Sequence, residues 1–189
     1  ASENMNNKNW SQEEFESVKL GDKRLNDRLA MISESFSNSP VSSINKCSGD
    51  WAETKGAYRF FANEKIDYLD ILDAHTKKTV ERCEDEEIVL AIQDTTYFSY
   101  KSHPKTTGLG CLSRHKGKHQ KNIDTLGTIS HTTLALSIKG LPLGLLDQKN
   151  YAREELSEEM KSIKSRSHNI ALPIEDKESI RWLESFNKT

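Results

Sequence analysis

Three groups of residues in this sequence have types and spacings suited to chemistry on phosphates. The first is a single carboxylate, Asp94, which follows closely on the apolar, partly β-branched run Ile88-Val89-Leu90-Ala91-Ile92. Such a run forms a buried strand, and a carboxylate at the end of one is rigidly held and hard enough to ligate Mg²⁺. An Asp followed by Thr95 and Thr96 more often caps a turn after a strand, so the bland role stands beside the chemical one. The second group is the stretch from Lys101 to Lys121, which holds Lys101, Lys105, Arg114, Lys116, Lys118 and Lys121, with His103, His115 and His119, and no Asp or Glu. With Gly108, Gly110 and Gly117 it reads as a flexible electropositive loop. Such a loop can follow a phosphate backbone and gain affinity by counterion release, or it is simply a solvated surface. His115 and His119 have the spacing of helical metal ligands, but Gly117 between them argues against a helix and hence against a metal site.

The third group is Lys23, Arg24 and Arg28, at the start of a helix where basic side chains and free backbone N–H groups can meet phosphates together. Arg59, inside Gly56-Ala57-Tyr58-Arg59-Phe60, is suited to anchoring a phosphate or to a structural ion pair. Trp10, Trp51 and Trp182 read as core residues rather than stacking platforms. No glycine-rich phosphate loop, serine elbow or Cys/His pair stands out.

The elements that must position these groups change character near residue 85. Ser11 with Glu14 reads as a capping box for a short first helix. Asp22 caps a second, in which Leu25, Leu29, Ile32 and Phe36 form one apolar stripe until Ser37-Asn38-Ser39-Pro40 breaks it. A loop runs to about Gly49. Asp50 with Glu53 opens a helix carrying Trp51, Tyr58 and Phe61, and Asp67 caps another in which Tyr68, Ile71, Leu72, His75 and Val80 continue the period to about Cys83. Beyond an acidic run, the strand ending at Asp94 is followed by a strand over Thr128–Ile138, a turn at Lys139-Gly140 and a strand over Leu143–Gln148, the last two forming a hairpin. A final helix should turn Ile180, Leu183 and Phe186 to a core. The organisation expected is α+β, with a helical domain at 1–85 and a mixed α/β domain at 86–189.

Bulk properties set the frame for these sites. The chain has 189 residues, 34% hydrophobic and 30% charged, and a net charge of −2, so only local clusters of cations can argue for nucleic acid. Cys47, Cys83 and Cys111 are odd in number and lack metal-ligand spacing, which suits a reducing cytoplasm. No apolar run is long enough to span a membrane, and no signal peptide is expected.

Several segments together resemble the bacterial insertion-sequence transposases of the IS-four and Tn-five type. Leu20-Gly21-Asp22-Lys23-Arg24-Leu25 with Arg28 looks like the motif opening that family's DNA-binding domain, and Gly56-Ala57-Tyr58-Arg59-Phe60 looks like its second landmark. Ala91-Ile92-Gln93-Asp94-Thr95-Thr96 is similar to the strand bearing the first acidic residue of the DDE triad. Gly144-Leu145-Leu146-Asp147-Gln148 resembles a later strand of the same RNase H-like sheet, and Lys177-Glu178-Ser179 with Trp182-Leu183 the helix before the next strand. The resemblance implies a helical transposon-end DNA-binding domain followed by an incomplete RNase H-like domain, its first three strands and following helix. Asp94 is then the catalytic and metal-ligating residue, with Mg²⁺ or Mn²⁺ as the ion, bound weakly or not at all with one carboxylate.

The resemblance further implies double-stranded DNA as partner, met by Lys23, Arg24, Arg28, Arg59, Lys105, Arg114, Lys116, Lys118 and Lys121, in a bacterial cytoplasm, and a homodimer or a mixed oligomer with full-length transposase. Because the family's second aspartate and its glutamate lie beyond Thr189, the chain is expected to bind DNA without catalysing transposition alone. Two other functions fit the residues: a small metal-dependent nuclease in which Asp147 or Glu178 joins Asp94, and a non-catalytic interaction or inhibitor protein.

Overall fold

Carboxylates set where three helices of the first half begin. In the computed structural model, which describes residues 9–100, 105–116, 122–153 and 179–188, the chain separates into two units, Ala1–Asp85 and Glu86–Thr189. The first holds α1 (Trp10–Glu14), α2 (Lys23–Asn38), α3 (Ile44–Cys47), α4 (Trp51–Phe61) and α5 (Tyr68–Glu84). Asp22 accepts the backbone N–H of Arg24 at 2.9 Å, Asp50 that of Glu53 at 2.8 Å, and Asp67 that of Leu69 at 2.9 Å. Each satisfies an amide that a helix start leaves orphaned. Glu53 reaches back to the N–H of Gly49 at 2.7 Å. The stripe on α2 packs as its spacing predicts: Leu29 and Ile32 are buried with Val18, Leu20, Ala57, Phe60 and Ala74, and Leu25 and Phe36 pack against them.

The expected capping box at Ser11 and Glu14 does not form. Helix α1 begins at Trp10, no side chain caps it, and Ser11 lies buried inside the helix, its hydroxyl without a partner among the described residues. Glu14 instead crosses to α5. Arg82 donates to its carboxylate at 2.8 and 3.0 Å, and Nδ1 of His75 lies 2.5 Å from it. A charge-assisted, two-pronged arginine contact is worth more than a backbone cap, so the long-range partner wins. Two smaller expectations also change: α3 forms within the loop before Gly49, and Val80 is exposed while Ala74 and Thr79 face inward.

Burial would raise the pKa of Glu14, but the hydrogen bond and charge of Arg82, aided by His75, outweigh it and hold the carboxyl below its ordinary value of 4.5. A group with a depressed folded pKa contributes stability that is full above the unfolded value and lost as pH falls through the folded one. Replacing Glu14 by Ala should therefore destabilise the helical unit by about 2 kcal/mol at pH 7. The deficit should shrink in denaturant melts as the pH is taken well below the glutamate range. A deficit that does not change with pH would mean packing, not charge, ties α1 to α5.

The second unit is a wholly antiparallel sheet of β1 (Val89–Ser99), β2 (Gly110–Lys116), β3 (Asn122–Ser137) and β4 (Pro142–Tyr151), with α6 (Ile180–Phe186). The long β3 is central. It pairs along one side with β1, from Val89 opposite Ser137 to Ser99 opposite Gly127, and with β4, from Ile129 opposite Tyr151 to Leu136 opposite Pro142. β2 pairs with its first half, Gly110 also standing opposite Gly127. The hairpin between β3 and β4 turns at Lys139-Gly140 as read, with Gly140 at φ 81°.

Four expectations for this half are corrected. β1 continues five residues beyond Asp94, because Thr95 to Ser99 pair with β3 instead of turning. It is also not a buried strand. Among the described strands it pairs with β3 alone, and Leu90 and Ile92 are 45% and 47% exposed. The stretch read as a flexible loop contains β2, since backbone pairing with β3 over Gly110–Lys116 satisfies its amides. The side of α6 that carries Arg181, Trp182 and Ser185 meets the sheet: Phe186 and Leu183 are exposed, while Ser185 is buried and hydrogen-bonds Thr133. The sheet surface there is polar, so Arg181 and Ser185 satisfy it.

Candidate nucleic-acid interface

Helices α2 and α4 bring together basic residues that lie far apart in the chain. Lys23, Arg24 and Arg28 stand on the first turns of α2, with Arg24 and Arg28 four apart and hence on one face. Lys23 pairs with Asp27 at 2.6 Å and Arg24 with Asp22 at 3.0 Å. The cationic side chains of these pairs remain 84% and 90% exposed, so the pairs add little to stability and leave both cations open to a phosphate. The hydrogen bond and charge of Arg24 lower the Asp22 pKa, and Asp22 raises that of Arg24 in return.

Arg28 is held differently. Its guanidinium lies across the backbone of α4 at Gly56, so close that a Cβ added there would stand 2.7 Å from Nη1 and 2.8 Å from Cζ. Arg59 follows Gly56 by three residues, one turn further along α4, and is exposed. The Arg24–Arg28 row of α2 thus runs onto the side of α4 that carries Arg59. Lys55, Tyr58 and Arg59 lie exposed on α4, with Ala62 just past its end.

That face also holds aromatic residues that sequence reasoning placed in the core. Trp51 is 76% and Tyr58 51% exposed, seven residues apart and hence on one side of the helix. Trp10 is 47% exposed, and Trp182 rests its ring edge on His131 with centroids 4.6 Å apart. Aromatic residues interleaved with Lys55 and Arg59 make a surface suited to nucleic acid. The signal was available in the helical wheel of α4, where Thr54, Ala57 and Phe60 already fill the buried side.

Asp94 occupies a different setting from the one its sequence suggests. It is exposed in the middle of β1, opposite Thr132 and next to Thr96, whose hydroxyl donates to it at 3.4 Å. Thr132 in turn stands opposite Gln148 on β4. Asp147 is opposite Thr133, which is opposite Gln93. Because side chains alternate along a strand, Asp147 points from the other face of the sheet. There it is buried and takes a hydrogen bond from Lys188 at 3.2 Å. Asp94 and Asp147 therefore cannot share an ion, and the nuclease that would pair them is excluded; Glu178 lies outside the described residues. Among the described residues no three His, Cys, Asp or Glu side chains come together as a metal site.

The face opposite Asp94 holds a buried polar network that sequence reasoning missed. Nδ1 of His131 is 2.9 Å from the Thr95 hydroxyl and Nε2 is 3.3 Å from the Gln93 amide oxygen. Arg181 of α6 donates to Thr95 at 3.4 Å and to the Tyr151 hydroxyl at 3.3 Å. Burial first, and then the charge of Arg181, push the His131 pKa down, so the ring is neutral near pH 7. This network docks α6 on the face of the sheet opposite Asp94.

Of the remaining basic residues, Lys105 is exposed, while Arg114 and Lys116 are placed in β2 by pairing opposite Asp124 and Asn122. Lys118 and Lys121 lie outside the described residues. No described helix is long and apolar enough to cross a membrane. Residues 7–66, which include Lys23, Arg24, Arg28, Gly56 and Arg59, match the family model described as transposase DNA-binding, and this match supports a transposase N-terminal DNA-binding domain in the helical unit.

Proposed function

We propose that the helical unit binds transposon-end duplex DNA for a cut-and-paste transposase of the DDE type, and that the sheet unit is the beginning of its RNase H-like catalytic domain. The observation that carries the first part is the convergence of Arg24, Arg28 and Arg59 on one surface of α2 and α4 within the region matched by the family model. Lys23, Lys105, Arg114, Lys116, Lys118 and Lys121 are the further cations of this reading. Support for the second part is the antiparallel order of β1, β3 and β4, with an exposed aspartate on the outer strand.

In that reading Asp94 is the first ligand for Mg²⁺ or Mn²⁺. Among the described residues no three His, Cys, Asp or Glu side chains come together at Asp94, so they do not fit a two-ion site by themselves. What they do provide is the Thr96 hydroxyl, which donates to the carboxylate, with Thr132 opposite Asp94 and Gln148 one strand further.

The test is fluorescence anisotropy with a labelled duplex across a salt series. If about three phosphates are neutralised, affinity should fall roughly 40-fold between about 50 and 200 mM salt. Binding that is absent, or indifferent to salt, would sink the proposal. Asp94→Ala should leave the affinity unchanged or slightly tighter, since it removes a negative charge without touching the arginine surface. A marked loss of binding in that variant would show that Asp94 itself holds DNA or the fold that does.

A further inference from the structure

We propose that Gly56 is a positioning residue for DNA binding: its bare α-carbon is the seat that fixes the Arg28 guanidinium against α4, aimed at a backbone phosphate. The inference rests on the DNA-binding reading above and names a residue that reading does not require.

A glycine inside an eleven-residue helix is an expensive choice. It costs about 1 kcal/mol relative to alanine, because it brings no side chain and loses the most backbone freedom. The structure shows what fills the space so left. Nη1, Cζ and Nε of Arg28 lie 2.7, 2.8 and 3.3 Å from where a Cβ at position 56 would be. Three atoms of one planar group at that range mean the guanidinium lies across the helix, filling the gap. No described residue gives Arg28 a hydrogen bond or an ion pair, so its N–H groups stay available while its position is set.

Seating of this kind matters for affinity. An arginine that must be ordered on binding loses rotamer freedom, whereas one already held has less to lose and presents its planar fork ready for phosphate oxygens. Arg24 and Lys23 have no such seat and stand out in solvent. Arg28 is thus the fixed point of the basic surface, with Arg59 one turn beyond its seat.

The three atoms nearest a methyl group at position 56 would all belong to the far end of a flexible side chain, which can swing away. Gly56→Ala should therefore keep or raise the melting temperature of the protein while weakening duplex binding about five- to ten-fold, and the slope of log affinity against log salt should fall by about one. Arg28→Ala should do the same to binding. In the Arg28→Ala background, Gly56→Ala should have no further effect on affinity, because it acts through Arg28.

The outcomes separate cleanly when wild type, both single variants and the double variant are titrated on one labelled duplex. Wild-type affinity in Gly56→Ala beside a weakened Arg28→Ala overturns the seat and leaves the DNA-binding reading standing. An equal loss from Gly56→Ala with and without Arg28, or a lowered melting temperature, also overturns it, since the effect would then be structural. Wild-type protein that binds no duplex overturns the parent reading and this inference together.

Discussion

Reversing Arg24 and Arg28 together to glutamate lowers the affinity for duplex DNA by about 100-fold at roughly 0.1 M salt, and flattens the salt dependence by about two units of slope. Each arginine that meets a phosphate releases a counterion, and each reversal replaces that release with repulsion. The fold gives little ground for the loss to come from unfolding. The cap on α2 runs from Asp22 to the backbone N–H of residue 24, a bond that any side chain there preserves. A glutamate in the first turn of a helix is favourably placed against the dipole. Arg28 has no hydrogen bond or ion pair among the described residues, so its removal orphans no buried partner. Circular dichroism should accordingly show unchanged helix content in the double variant, with anisotropy reporting the affinity. Binding within about threefold of wild type would take these two residues off the interface.

What the sequence made legible here is what is local. Asp22, Asp50 and Asp67 cap helices because a carboxylate and an orphan N–H two or three residues on need nothing else. The stripe from Leu25 to Phe36 is likewise a property of one helix. Ser11 and Glu14 fit the same local pattern, yet a partner 68 residues away in sequence decides the outcome. The exposure of Trp51 was legible only through the rest of its helical wheel. A tryptophan near a helix start can face either way until Thr54, Ala57 and Phe60 have claimed the buried side.

The candidate site divides along the same line. The cations were visible one by one, but the seat of Arg28 on Gly56 joins residues on two helices, and no spacing in the chain encodes it. In the sheet, register decides what composition cannot. Asp94 and Asp147 are both acidic residues on strands, and a single step in pairing puts them on opposite faces. The strand at Gly110–Lys116 was masked by glycines and lysines that favour loops, and it forms because β3 offers it an edge.

Gly127→Ala carries the largest expected effect on stability, and the reason is again a long-range one. Gly127 sits in the central strand, where Ser99 of β1 and Gly110 of β2 both stand opposite it, on its two sides. A Cβ there would collide with the carbonyl of Phe98 and the side chain of Leu112. The first of these is backbone held in the β1–β3 ladder, and it cannot step aside without breaking pairing. Overpacking of this kind costs about 1–3 kcal/mol, and the upper end is expected because strand registry is lost with it. For a unit of this size that corresponds to a fall of roughly 10–20 °C in the melting of the sheet. Gly108→Ala is the matched control: no atom lies within 4 Å of the position its Cβ would take, so only the strain of φ 74° opposes it. Hydrogen exchange read along β1 and β3 locates the damage, with protection lost first around Phe98 and Gly127. A Gly127→Ala protein that melts within a few degrees of wild type, with those amides still protected, would show that the three strands do not meet at Gly127 as closely as the structure has them.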